Sequence, residues 1–287
     1  MDNIRKMTKE EFPKALFEIP QPPEGLYIKG EMPSENLIYL CIVGSRKHTT
    51  YGKDVCEKLI DGLKGYPIVI VSGLATGIDS IAHVSAMKAG LKTISFPGSG
   101  LSSDVIFPRA NIRLAEEIAN GNGCLISEFE PDFKATMYSF PQRNRLMAGM
   151  SKAVLIIEAE EKSGTLITAR LALDYNRDVL VVPGSIFSPN SKATNRLIRE
   201  GALPISSVED LLQALGFELP DNEEKQAKLF ADCSPDEKIV FDILREPTSR
   251  DELIREMNMP TPKANAILSI MEIKEMIKDN FGEIRRN

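Results

Sequence analysis

The 287-residue sequence predicts an α/β fold: a doubly wound, mainly parallel sheet followed by a small C-terminal α domain. Three observations predict it. Short, wholly apolar runs alternate with stretches of helical composition between residues 37 and 182. Most of these runs end in a turn rich in Gly, Ser or Pro. Beyond residue 234 the strand pattern gives way to three short helical stretches. Strands apolar at every position are buried on both faces, which requires helices above and below a parallel sheet.

Taken in order, residues 1–35 are proline-rich around Pro20, Pro22 and Pro23 and read as an extended lead-in. Leu37 to Val43 reads as the first strand, and a helix from Tyr51 to Lys64 follows, capped by Thr49 or Thr50. Strands are expected at 68–71, 93–96, 125–127, 153–157 and 179–182, and further helices at 77–89, 108–119 and 165–173. The repeated alternation over residues 36–216 is Rossmann-like in the broad sense. Residues 217–233 are polar and acidic and read as a linker. Residues 234–287 read as helices at 235–244, 249–257 and 261–273, with a hairpin around Asn280 and Gly282. That pattern fits a winged helix-turn-helix and equally a generic three-helix module.

Composition narrows the function. The net charge is -6, which by itself does not suggest a nucleic-acid binder. The deficit is uneven, however: residues 217–287 carry 11 basic and 16 acidic side chains, and residues 36–216 carry 19 and 18. Residues 36–53 and 133–157 contain no acid, so a local cationic surface is compatible with an acidic chain. The four cysteines lack metal-finger spacing and there are only two histidines, so no metal site is expected. No apolar run reaches the ~18 residues of a membrane span, and Met1–Glu11 lacks a signal-peptide core. A cytoplasmic location follows as the default, with no membrane partner.

Ligands of open α/β sheets bind beyond the carboxyl ends of the strands. Three segments stand there. Gly44-Ser45-Arg46 presents a planar cationic fork suited to phosphate, or is an ordinary turn with a solvated Arg. Ser72-Gly73-Leu74-Ala75-Thr76-Gly77 offers glycines that let backbone N–H groups approach an anion, or simply packs a strand tightly on a helix. It is not the dinucleotide fingerprint, so no nucleotide cofactor is inferred. Ser163-Gly164-Thr165 opens a helix whose N–H groups can hold a phosphate; read alone, it is a plain cap. Between them, Phe140-Pro141-Gln142-Arg143-Asn144-Arg145 combines an aromatic with two arginines. That suits a single strand, whose bases stack on aromatics while cations track the backbone. The alternative is a core Phe140 with arginines paired to distant acids.

In order, these segments resemble the DNA-processing protein A family, also called Smf. The resemblance runs from Ile19-Pro20-Gln21-Pro22-Pro23 through Val43–Arg46, Ser72–His83, Phe140–Arg145, Ser163–Ala169 and Val182-Pro183-Gly184 to Gly201-Ala202. It covers most of residues 19–215. It implies an extended Rossmann fold that binds single-stranded DNA without catalysis, a homodimer, and partnership with a RecA-type recombinase in natural transformation. The family's DNA contacts carry over onto Arg46 and the Phe140–Arg145 region, with Lys134 as a further contact. Many members have a helical domain before the Pro-Pro segment, and residues 1–19 are too few for one. The C-terminal segment looks similar to the winged-helix tail of many members. Its charge of -5 fits protein contact or self-association at least as well as duplex reading.

Two other readings stay open. Related phosphoribohydrolases place a carboxylate three residues after the Gly-Thr pair, where this chain has Thr168, so the general acid/base of glycosidic cleavage lacks a candidate. A regulator that binds a small nucleotide in the crevice is the third.

Overall fold

The computed structural model describes residues 3–218, 233–244, 246–274, 276–280 and 282–286. The chain divides into two compact units, Met1–Glu218 and Leu219–Asn287. The linker expected at 217–233 lies almost wholly outside the described residues.

The first unit is α/β. Its strands are β1 (Ile4–Lys6), β2 (Tyr27–Gly30), β3 (Ile38–Val43), β4 (Ile68–Ser72), β5 (Lys92–Ser95), β6 (Gly123–Ser127), β7 (Ala153–Ile156), β8 (Asp178–Val181) and β9 (Leu203–Pro204). They form one sheet in the order β1-β2-β6-β5-β4-β3-β7-β8-β9. Pairings from β6 across to β9 are parallel, and those of β2 with β6 and β1 with β2 are antiparallel. The lead-in is therefore part of the sheet and the core. Phe12, Leu16, Ile19 and Leu26 are buried, and Tyr27 pairs with Ser127 a hundred residues later.

The helices follow from pattern and caps. Helix α1 (Thr50–Asp61) begins where the Thr49 side chain accepts a hydrogen bond from the Gly52 N–H, and it buries Gly52, Cys56, Leu59 and Ile60 at helical spacing. Helix α2 is Ile78–Lys88, α3 Ile112–Glu117, α4 Ser139–Met150, α5 Thr165–Asp174, α6 Lys192–Arg199 and α7 Val208–Ala214. The expected helix at 108–119 is shortened: Arg109–Asn111 is a tighter 3-10 turn and Ile118–Asn122 a wider one. Along β3, alternate residues Tyr39, Cys41 and Val43 join the core cluster that includes Leu146 and Met147 of α4. Leu40 and Ile42 are equally buried and, by the period of two, face the other side.

From β3 the chain moves outward through β4, β5 and β6, then returns to place β7 on the other side of β3. The order thus reverses between β3 and β7, where a crevice opens at the carboxyl ends.

The second unit contains α8 (Pro235–Ile243), α9 (Arg250–Glu256) and α10 (Thr261–Ile273), with strands β10 (Thr248–Ser249), β11 (Ile277–Asn280) and β12 (Glu283–Arg286). The strands pair antiparallel in the order β10-β12-β11. Ser234 caps α8 and exchanges a second bond with Glu237. The core joins Val240, Leu253, Leu268, Met271 and Ile284.

Candidate nucleic-acid interface

A cleft of about 600 Å³ lies at the reversal between β3 and β7. The turn after β3 forms one wall with Gly44, Ser45, Arg46 and Lys47; α4 gives Phe140, Arg143 and Asn144; and Ser163, Gly164 and Thr165 at the start of α5 close it.

Arg46 and Lys47 are exposed and make no ion pair among the described residues. The Arg46 guanidinium sits 5.5 Å from the centroid of the half-buried Phe140 ring. Ser45 holds the turn: its hydroxyl accepts from the Lys47 N–H (3.1 Å) and its carbonyl from the Ile78 N–H (3.2 Å). A methyl group on Gly44 would meet Ile78 Cγ1 at 2.7 Å, so the bare backbone is needed for α2 to approach.

The floor is charged and dry. Asp79 is 5% exposed and Arg143 6%. Burial raises the Asp79 carboxyl above its ordinary pKa, and the nearby Arg143 charge pulls it back. Burial likewise lowers Arg143, with Asp79 opposing. Asp79 Oδ2 accepts from the Ala75 N–H at 3.3 Å, and Arg143 Nη1 donates to the Phe96 carbonyl. Arg143 Nε is buried without a partner.

Several sequence expectations change here. Ser72, Gly73 and Gly77 are buried and lie outside the cleft walls. The Ser72 hydroxyl donates to the Ile42 carbonyl at 2.6 Å. A methyl on Gly73 would collide with Arg143 Nη1 at 1.7 Å, and Gly77, at φ +86°, presses on the Ser45 carbonyl. These residues hold the cleft's shape by close packing and do not line its walls. Arg145 also leaves the surface: it pairs with Glu128 and donates to the Gln21 carbonyl at 2.8 Å. Lys134 is exposed and stands off the cleft walls. At the start of α5, the Thr165 N–H already donates to Ser163 Oγ (3.2 Å), and the Leu166 and Ile167 N–H groups to carbonyls of the preceding turn. The α5 dipole and the Ser163 hydroxyl therefore face the cleft more than a set of free N–H groups does.

The start of α1 is also filled. The buried Glu158, just beyond β7, accepts from the Thr49 N–H (2.9 Å) and hydroxyl (2.5 Å). An acid directly after an apolar strand was the available sequence signal for it. Phe107 was missed as well. It is 47% exposed and its ring centroid lies 5.8 Å from that of Phe140. An aromatic before a proline in an irregular stretch was its signal.

The sequence profile of the family described as DNA recombination-mediator protein A matches residues 3–216. The chain belongs to that family. Protein Smf of Escherichia coli K12 is 34% identical over 275 residues, covering 92% of this chain and 72% of that protein. A DNA processing protein A structure from Streptococcus pneumoniae superposes with a TM-score of 0.69 at 37% identity, covering 76% of each chain. One from Helicobacter pylori, described for its single-stranded DNA binding mode, gives 0.66 at 33% identity and covers 74% of this chain and 95% of that one. The family match ends at the boundary of the first unit, so the cleft lies wholly within the matched region.

Proposed function

We propose that this member of the DNA recombination-mediator protein A family binds single-stranded DNA in the cleft, as a carrier and not as an enzyme. One observation carries the reading: an unpaired, exposed Arg46 over the Phe140 ring at the carboxyl ends of the sheet. A guanidinium takes phosphate while an aromatic face takes a base, and neither demands a sequence. The Helicobacter pylori protein described for single-stranded DNA binding supports the same ligand. Family membership supports the wider role: handling of single strands in DNA processing during transformation, loading of a RecA-type recombinase, a homodimeric state and a cytoplasmic place. Among the described residues no helix is long and apolar enough to cross a membrane.

The chemistry of the cleft supports a binder. Thr168 takes the place where the related hydrolases have a carboxylate, and Asp79 holds the loop N–H of Ala75. His83 is buried against Thr93, away from any hydroxyl in the cleft. The test is oligo(dT) against duplex DNA over a salt series. Preference for the single strand, with binding that weakens as salt rises, is the expected result; equal affinity for duplex overturns it. Incubation with nucleoside monophosphates should release no free base.

A further inference from the structure

We infer that Phe107 is a second stacking platform for the single strand, next to Phe140 and outside the cleft. The inference rests on the single-strand reading above and extends the interface over the Ile106–Asn111 segment.

Phe107 leaves 47% of its surface exposed, an uncommon position for a Phe. Its ring and that of Phe140 are 5.8 Å apart and tilted by 52°. Phe140 is in turn 5.5 Å from the Arg46 guanidinium. Arg46, Phe140 and Phe107 thus form a chain of neighbouring groups that starts at the β3 turn and ends on a ring that is not part of the cleft walls.

The platform is held from both sides. Ile106, the preceding residue, is 3% exposed and packs in a cluster with Leu74, Leu101 and Leu114. Asn111 Nδ2 donates to the Leu74 carbonyl at 2.8 Å, tying the segment to the turn after β4. Phe107 is therefore outside by construction: the buried position belongs to Ile106. An aromatic fixed before its ligand arrives loses little conformational entropy on stacking.

A nucleobase is the occupant the surroundings favour. These groups adjoin the cleft, and Arg109, two residues on, is exposed with no ion pair among the described residues. Cations flanking flat aromatic surface suit a polyanion carrying bases.

The sequence contains no tryptophan, so Phe107→Trp places a single indole on the proposed platform. With the full chain and oligo(dT), the indole emission of Phe107→Trp should be quenched on binding. Phe107→Ala should bind about 5- to 100-fold more weakly. Its salt slope should be unchanged, because no phosphate contact is lost. Wild-type affinity in Phe107→Ala, or indole emission unmoved at saturating oligonucleotide, overturns the second platform. If the wild type binds and Arg46→Ala binds about tenfold more weakly, such a failure falls on Phe107 alone. If the wild type does not bind oligo(dT), both readings fall.

Discussion

At the floor of the cleft Arg143 and Asp79 lie buried as neighbours, whereas Arg46 stands exposed over Phe140 and makes no ion pair among the described residues. Both arginines come from acid-free stretches of sequence. Their roles diverge because of where the backbone puts them. Arg46 sits in a turn at a strand end, where its side chain stays exposed. Arg143 sits inside α4, whose C-terminal half is buried from Leu146 to Met150. A cation in the second setting depends on internal partners: Arg143 donates to the Phe96 carbonyl and lies near Asp79, while its Nε stays without a partner. On the single-strand proposal, the floor should govern stability and cleft shape, and the rim at Arg46 the affinity.

The largest effect separating the two belongs to Arg143. Arg143→Ala removes the buried donor to the Phe96 carbonyl and the positive charge near Asp79, and should cost about 3 kcal/mol. Urea unfolding reads this directly. Adding Asp79→Asn should restore part of the loss, and a fully additive double variant would show that the two charges do not couple.

Next comes His83, in α2 and within reach of the Arg143 charge. Thr93 Oγ1 donates to the Ile70 carbonyl (2.8 Å), so it accepts from His83 Nδ1 (2.7 Å) and leaves Nε2 without a partner. Burial, aided by Arg143, pushes the His83 pKa from 6.5 down to about 3. Below pH 6.5 the unfolded chain takes up a proton that the folded chain refuses. Stability is thus fully present above 6.5 and falls as pH drops toward 3. By pH 5 the loss should be ~2 kcal/mol. His83→Gln should flatten the urea midpoint between pH 7 and pH 5; an undiminished slope would assign the titration to another group.

Arg46→Ala should leave the unfolding midpoint unchanged while weakening oligo(dT) binding about tenfold and reducing the salt slope by about 0.7. A loss of stability in this variant would erase the contrast between rim and floor. The smallest effect is expected at Lys134, exposed but off the cleft walls. Lys134→Ala should weaken binding only about twofold at low salt, and the difference should vanish at high salt. A larger loss would mean that the strand's path bends toward residue 134.

The central sheet was legible in the sequence for a physical reason. Strands β3, β4 and β7 are buried almost throughout and read as nearly unbroken apolar runs, while β5 and β8 each open on an exposed polar residue and show a shorter buried stretch; all five were found within a residue or two. Strands β1 and β2 were not legible. Ile4-Arg5-Lys6 is a half-exposed edge, and β2 is defined by partners at 124–127, about which local pattern says nothing. Helix α4 escaped for the opposite reason: buried nearly all round after its first turn, it has no polar stripe to reveal a period, and Pro141 near its start resembles a break. In the site, the Gly44–Arg46 turn was legible because a strand end is a local feature. The fates of Arg143 and Arg145 depend on Phe96, Asp79 and Glu128, which meet them only after folding.

The Glu158 carboxylate at the start of α1 has a further consequence. In nucleotide-binding relatives of this architecture, that helix terminus after the central strand is where a pyrophosphate docks. Here an internal anion is already seated there, bonded to Thr49. A free dinucleotide or nucleoside triphosphate arriving by its phosphates meets like charge at the one place it would otherwise grip. A polymer that enters by its bases along Arg46 and Phe140 does not. If the cleft takes a single strand as proposed, Glu158 would disfavour small nucleotides that dock by their phosphates at this helix start while never touching the strand itself.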